Sequence, residues 1–122
     1  MAIKGIFYVF AEVYDLVRSK KFYGQTLGWK LNTDEKDVAG FAFGSAYLVI
    51  HATGKQSPPA GPSLYVEVQV DDVNAEHARL KELGVDVSDI HDQHWGERNF
   101  SFRDPDGHTW FYGQSLHSHS SL

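Results

Sequence analysis

The chain has 122 residues, 42% hydrophobic and 22% charged, with a formal net charge of −5 and no cysteine. That size suits one domain or two small halves sharing a core, and the missing cysteine excludes disulfides and thiolate chemistry. An acidic balance without a basic stripe argues against nucleic acid as a partner, and no apolar run approaches the ~18 residues of a membrane span. Met1 runs into a strand-like segment with no charged and then apolar leader, so the expected compartment is the cytoplasm. Aromatic residues make up 14% of the chain, enough to line a pocket with rings or simply to fill a core.

Ile3 to Phe10, aromatic and β-branched, reads as a strand. Asp15 is a ready N-cap for a helix over Leu16 to Leu27, with Leu16, Tyr23 and Leu27 on one face and Gly28 as its stop. Trp29–Asn32, Gly40–Phe43 and Ala46–His51 read as strands, the last two joined at Gly44-Ser45. Three prolines and two glycines between Thr53 and Ser63 mark a linker. Leu64 to Val70 then alternates, with Leu64, Val66, Val68 and Val70 on one side and Tyr65, Glu67 and Gln69 on the other. Asp72 caps a second helix, Val73 to Leu83, which stops at Gly84. Val85–Ile90 reads as a strand. Asn99–Arg103 and His108–Tyr112 form a hairpin around the turn Asp104-Pro105-Asp106-Gly107.

The same order thus occurs twice, and Asp15/Asp72, Gly28/Gly84 and Tyr8/Tyr65 recur at an interval of 56 to 57 residues. This is an internal repeat of a βαβββ unit. The divisions are 1–53 for the first module, 54–63 for the linker, 64–115 for the second module and 116–122 for a polar tail. One helix covers one face of a four-stranded sheet, so the other face needs a partner, and the sister module is the natural one. The expected fold is α+β: two βαβββ repeats whose curved sheets pair and leave a cleft between their uncovered faces. Val66, Val68 and Val70 then suit the helix-covered core. Glu67 and Gln69 face either the cleft or plain solvent. Ile6, Tyr8 and Phe10 share one face, as do Tyr47, Val49 and His51.

Four segments resemble the vicinal oxygen chelate superfamily, the glyoxalase, bleomycin-resistance and extradiol dioxygenase group. They are Tyr8–Trp29, with Phe22-Tyr23 before Leu27-Gly28; Ala46–Gly54; Tyr65–Val85; and Trp95–Gln114, with its Asp-Pro-Asp-Gly hairpin. The resemblance implies the paired fold, with curved mixed sheets around a U-shaped cleft, and a homodimer. In metal-using members, three or four His, Glu or Gln ligands on cleft strands hold Ni, Fe, Mn or Zn. Carried over one at a time, those positions fall on Tyr8, His51, Tyr65 and Phe111. Only His51 is a common ligand. Phenylalanine cannot bind a metal, and tyrosine must first lose a proton of reference pKa ~10.

The leading expectation is therefore a metal-independent, small-molecule binding protein of the bleomycin-resistance-like type, with no cofactor. Tyr8, Phe10, Tyr65, Trp95 and Phe111 would supply ring contacts; His51, Glu67 and Gln69 would orient the ligand, and Arg98 could pair with an acidic group on it. Trp95 equally suits packing at a dimer seam, and His51 a hydrogen-bonded structural role. The alternative is a metal-dependent, glyoxalase-like lyase, isomerase or dioxygenase. Its rebuilt site would combine His51 with Glu67, His91 or His94, with His51 and Glu67 as its acid/base candidates. A third reading is a dimerising module whose cleft Phe111 plugs. His77 reads as a packed helix residue, and His117 and His119 as part of the tail.

Overall fold

The computed structural model describes residues 2, 4, 6–54 and 66–116. Tyr65, the proline-bearing stretch and the histidines of the tail lie outside the described residues. The chain divides into two compact units, Met1–Pro59 and Ala60–Leu122, each with one sheet.

In the first unit, β1 (Tyr8–Val13) is followed by α1 (Leu16–Lys21), β2 (Lys30–Asp34), β3 (Val38–Phe43) and β4 (Ala46–Ala52). Their order in the sheet is β1-β4-β3-β2, with β1 parallel to β4 and the other pairs antiparallel. The Asp15 carboxylate caps α1 by accepting from the Arg18 N–H at 3.3 Å. The helix is shorter than its sequence suggests, because Phe22–Thr26 widens into a π-helical turn. Leu27 N–H donates to the Phe22 carbonyl at 2.8 Å, and Gly28 turns the chain with φ +78°. The wide turn buries both Tyr23 and Leu27. It also sets Gly24 against the sheet, where a Cβ would come within 3.3 Å of Phe41 Cε1. Val13, Ala39, Phe41, Leu48 and Ile50 complete this core, all wholly buried. The first strand starts later than expected, and Ile6 and Phe7 stand exposed ahead of it.

The second unit repeats the plan with β5 (Val66–Gln69), α2 (Val73–Glu82), β6 (His91–Gln93), β7 (Glu97–Arg103) and β8 (Thr109–Ser115), ordered β5-β8-β7-β6. The N-terminus of α2 is held twice. Asp72 Oδ1 accepts from Ala75 N–H at 3.1 Å, and Gln114 on β8 accepts from Val73 N–H at 2.9 Å. His77 donates to the Ser88 carbonyl at 2.8 Å and sets its ring edge-on to Phe100. The strand expected at Val85–Ile90 is reduced to an isolated bridge between Val87 and Phe102. The hydroxyl of Ser88, rather than a further backbone rung, accepts from Ser101 N–H at 2.9 Å, and the ladder strand falls instead at His91–Gln93. At the hairpin turn, buried Asp104 accepts from Asp106 N–H, His108 N–H and the His108 ring at 3.0, 2.7 and 2.7 Å. Gly107 supplies φ +88°.

Candidate functional site

Register sorts the second sheet into two unlike faces. Phe100, Phe102, Trp110 and Tyr112 alternate inward under α2 and are at most 3% exposed. On the opposite face Glu67 lies beside Phe111, Gln69 and Asn99 flank Gly113, and Ser101 flanks Phe111. Gln93 and His91, on the edge strand, lie opposite Glu97 and Asn99.

One amide organises this face. Asn99 Nδ2 donates to Glu67 Oε1 and to Glu97 Oε1, each at 3.0 Å, and its carbonyl accepts from Gln93 Nε2 at 3.0 Å. Asn99 and Glu97 are buried, whereas Glu67 reaches solvent. Two carboxylates brought this close do not both ionise easily. Desolvation pushes the Glu67 carboxyl up to about 7. A hydrogen bond shared with Glu97 and the charge of Glu97 act in the same direction, and the Asn99 amide opposes them. Gly113 makes the pairing possible. A Cβ there would stand 2.7 Å from Glu67 Oε2 and 3.3 Å from Glu97 Oε2. Near neutral pH the face therefore offers a proton that can be given or taken, next to the half-buried Phe111 ring.

The first sheet also turns one face away from its helix. Tyr8, Phe10 and Glu12 lie opposite Tyr47, Val49 and His51 in turn. Phe10 is 70% exposed, and the Tyr8 ring centroid sits 5.8 Å from Phe10 and 5.9 Å from Tyr47. Glu12, which sequence reasoning passed over, stands beside His51.

The expected site residues thus divide. Tyr8, Phe10 and His51 share a face of the first sheet. Glu67, Gln69 and Phe111 share a face of the second. Trp95 is half exposed in the turn between β6 and β7, with its ring edge-on to His94 at 5.0 Å. Arg98 is not with Glu67. It lies between Glu97 and Asn99 in sequence, so its side chain leaves β7 on the other face, where Asp92 holds it at 2.7 and 3.1 Å. That pairing draws the Asp92 carboxyl below its usual range. Glu97, Asn99, Gln93 and Gly113 were missed, although Glu97, Asn99 and Ser101 alternate with Phe100 and Phe102 in plain view.

Register also bears on the inherited metal positions. Phe111 stands opposite Glu67, and Val49 stands opposite Phe10, its repeat equivalent; His51 corresponds instead to Gly113. Among the described residues, no three His, Cys, Asp or Glu side chains gather into a metal-sized group. With phenol, imidazole and phenyl at Tyr8, His51 and Phe111, the donor set does not fit a divalent ion at those positions.

Two βαβββ units, each a mixed four-stranded sheet backed by one helix, define a glyoxalase-like α+β protein. The sequence profile of the Glyoxalase/Bleomycin resistance protein/Dioxygenase superfamily matches residues 5–112, and the chain belongs to that superfamily, the vicinal oxygen chelate group. It is 32% identical to TnmS3, an antibiotic binding protein from Streptomyces sp. CB03234, over 94% of this chain and 98% of that one, with a TM-score of 0.79. Lactoylglutathione lyase from Agrobacterium tumefaciens shares the fold at 18% identity and a TM-score of 0.77, over 93% of this chain and 96% of that one. A glyoxalase/bleomycin resistance protein/dioxygenase from Alicyclobacillus acidocaldarius does so at 18% identity and 0.78, over 93% of each. No curated protein sequence matches the chain.

Proposed function

We propose that the protein binds a small aromatic-bodied molecule, an antibiotic or other natural product, without a metal, and acts as a homodimer in the cytoplasm. The observation that carries this reading is the Glu67–Asn99–Glu97 network beside Phe111. A ring gives the ligand an apolar surface, and a fixed set of polar groups at its edge gives it orientation. Two further points support it. The chain shares 32% of its residues with a protein described as antibiotic-binding. The residues carried over to the family's metal positions, Tyr8, His51 and Phe111, offer one imidazole and no carboxylate, and register sets His51 off the position that matches Phe111. Sequestration needs no reaction, so it places no demand on those positions. Among the described residues no helix is long and apolar enough to cross a membrane.

The test is a titration of aromatic natural products, read by tryptophan fluorescence and calorimetry, on the wild type, Phe111→Ala and Glu67→Gln. Saturable binding weakened by both substitutions is expected. Near-stoichiometric Ni, Fe, Mn or Zn in untagged protein, lost on His51→Ala, would overturn the proposal. The metal-dependent lyase, isomerase or dioxygenase reading would then take its place.

A further inference from the structure

A cavity lies in the first unit, on the helix side of the sheet and so on the opposite face from Tyr8, Phe10 and His51. It is a hollow of about 500 Å³ between α1, the π-helical turn and β2. A β-bulge builds it. Leu31 lies opposite Phe41, Thr33 opposite Gly40 and Asp34 opposite Ala39, so Asn32 is an extra residue in β2. Unbroken alternation would turn Asp34 to the other face; the bulge keeps both Leu31 and Asp34 on the helix side. Gly40 makes room for it, because a Cβ there would lie 3.1 Å from Asn32 Oδ1 and 3.3 Å from Thr33 Cβ.

The hollow has an apolar base and a charged rim. Val17 and Leu31 give it apolar surface over the buried Phe41, and Trp29 forms a wall, its ring stacked on Phe43 at 5.0 Å and 19°. Across the rim Lys20 Nζ meets Asp34 Oδ1 at 3.0 Å, which cancels one charge of each sign. Lys21 and Gln25 stand on the same rim, and Lys21 leaves it with one net positive charge on a protein whose net charge is −5. The volume falls within the ~300–1,000 Å³ of small-molecule sites. π-Helical turns also recur at functional positions in other proteins.

We propose that this hollow binds a flat aromatic molecule bearing one carboxylate. The ring lies between Val17, Leu31 and Trp29, and the carboxylate meets the Lys21 ammonium, with the Gln25 amide as a second donor. This site is separate from the Glu67 face and stands or falls independently of the function proposed for that face.

The probe is 2-naphthoate, titrated into ¹⁵N-labelled full-length protein and followed by NMR, with 2-naphthylmethylamine as the same ring carrying the opposite charge. Expected are saturable shifts at the Gly24 and Gln25 amides and the Trp29 indole N–H, with the amine at least about tenfold weaker. Lys21→Glu, at an exposed position, should keep the folded amide spectrum and weaken 2-naphthoate by at least about tenfold. No saturation up to millimolar probe would overturn the proposal. So would shifts centred on β5 and β8, or an unchanged affinity in Lys21→Glu.

Discussion

Replacing Glu67 by Gln puts the carboxylate face to a quantitative test. In the folded protein Glu67 titrates at about 7, against an ordinary 4.5. The native state therefore holds a proton between those values that the unfolded chain has already released. Its contribution to stability is fully present below about pH 4.5 and is lost as pH rises through 7. At face value the gap corresponds to roughly 3 kcal/mol. Glu67 reaches solvent, however, and screening brings the expected effect to about 1 kcal/mol. Glutamine has nearly the same shape, can accept from Asn99 and donate to Glu97, and stays neutral at every pH. Urea unfolding of wild type and Glu67→Gln should coincide near pH 4 and separate by about 1 kcal/mol at pH 8, with the glutamine variant the more stable. In thermal melts that is about 4 °C for a chain of this length. Parallel pH profiles for the two proteins would refute the shared proton.

Gly113→Ala should displace the Glu67 carboxylate from Asn99, since the new Cβ falls 2.7 Å from Oε2. The backbone there has no positive φ, so stability should change by less than about 1 kcal/mol, while Glu67, followed by carboxyl ¹³C NMR, titrates closer to an ordinary glutamate. Asp104→Ala removes three hydrogen bonds from the β7–β8 turn and should cost about 2–4 kcal/mol in chemical denaturation, without altering ligand contacts at Phe111. Arg98→Ala breaks an exposed pair with Asp92 on the far face of β7; the urea midpoint should barely move and ligand affinity should not change.

Much of this architecture is legible in the sequence, because period-two alternation and capping residues report local physics. Leu64–Val70 separates Glu67 and Gln69 from the valines, and Asp15 and Asp72 mark both helix starts. What escaped depends on tertiary context. Nothing in Phe22–Thr26 announces a π-helical turn, since an ordinary α-helix would already put Tyr23 and Leu27 on one face; it shows only in the Leu27 N–H to Phe22 carbonyl bond. The β-prone run Val85–Ile90 lost its ladder to the hydroxyl of Ser88. Starting the seventh strand at Asn99 rather than Glu97 hid the second carboxylate. It also hid the parity argument, which places Arg98 on the face opposite Asn99. The mismatch between His51 and Phe111 within the repeat became visible only through strand register.

The parallel pairing of first strand with last in each unit has a consequence for how the chain is made. Val66 rests beside Trp110, whereas β7 and β8 meet through a tight turn. During synthesis at ~5–20 residues per second, roughly 2 to 9 seconds separate the appearance of Val66 from that of its neighbour. The β7–β8 hairpin closes within microseconds of emerging. The strand that carries Glu67 is thus among the first parts of its unit to leave the ribosome and the last to be enclosed. Through that interval its valines wait for the neighbour on which β5 completes the sheet.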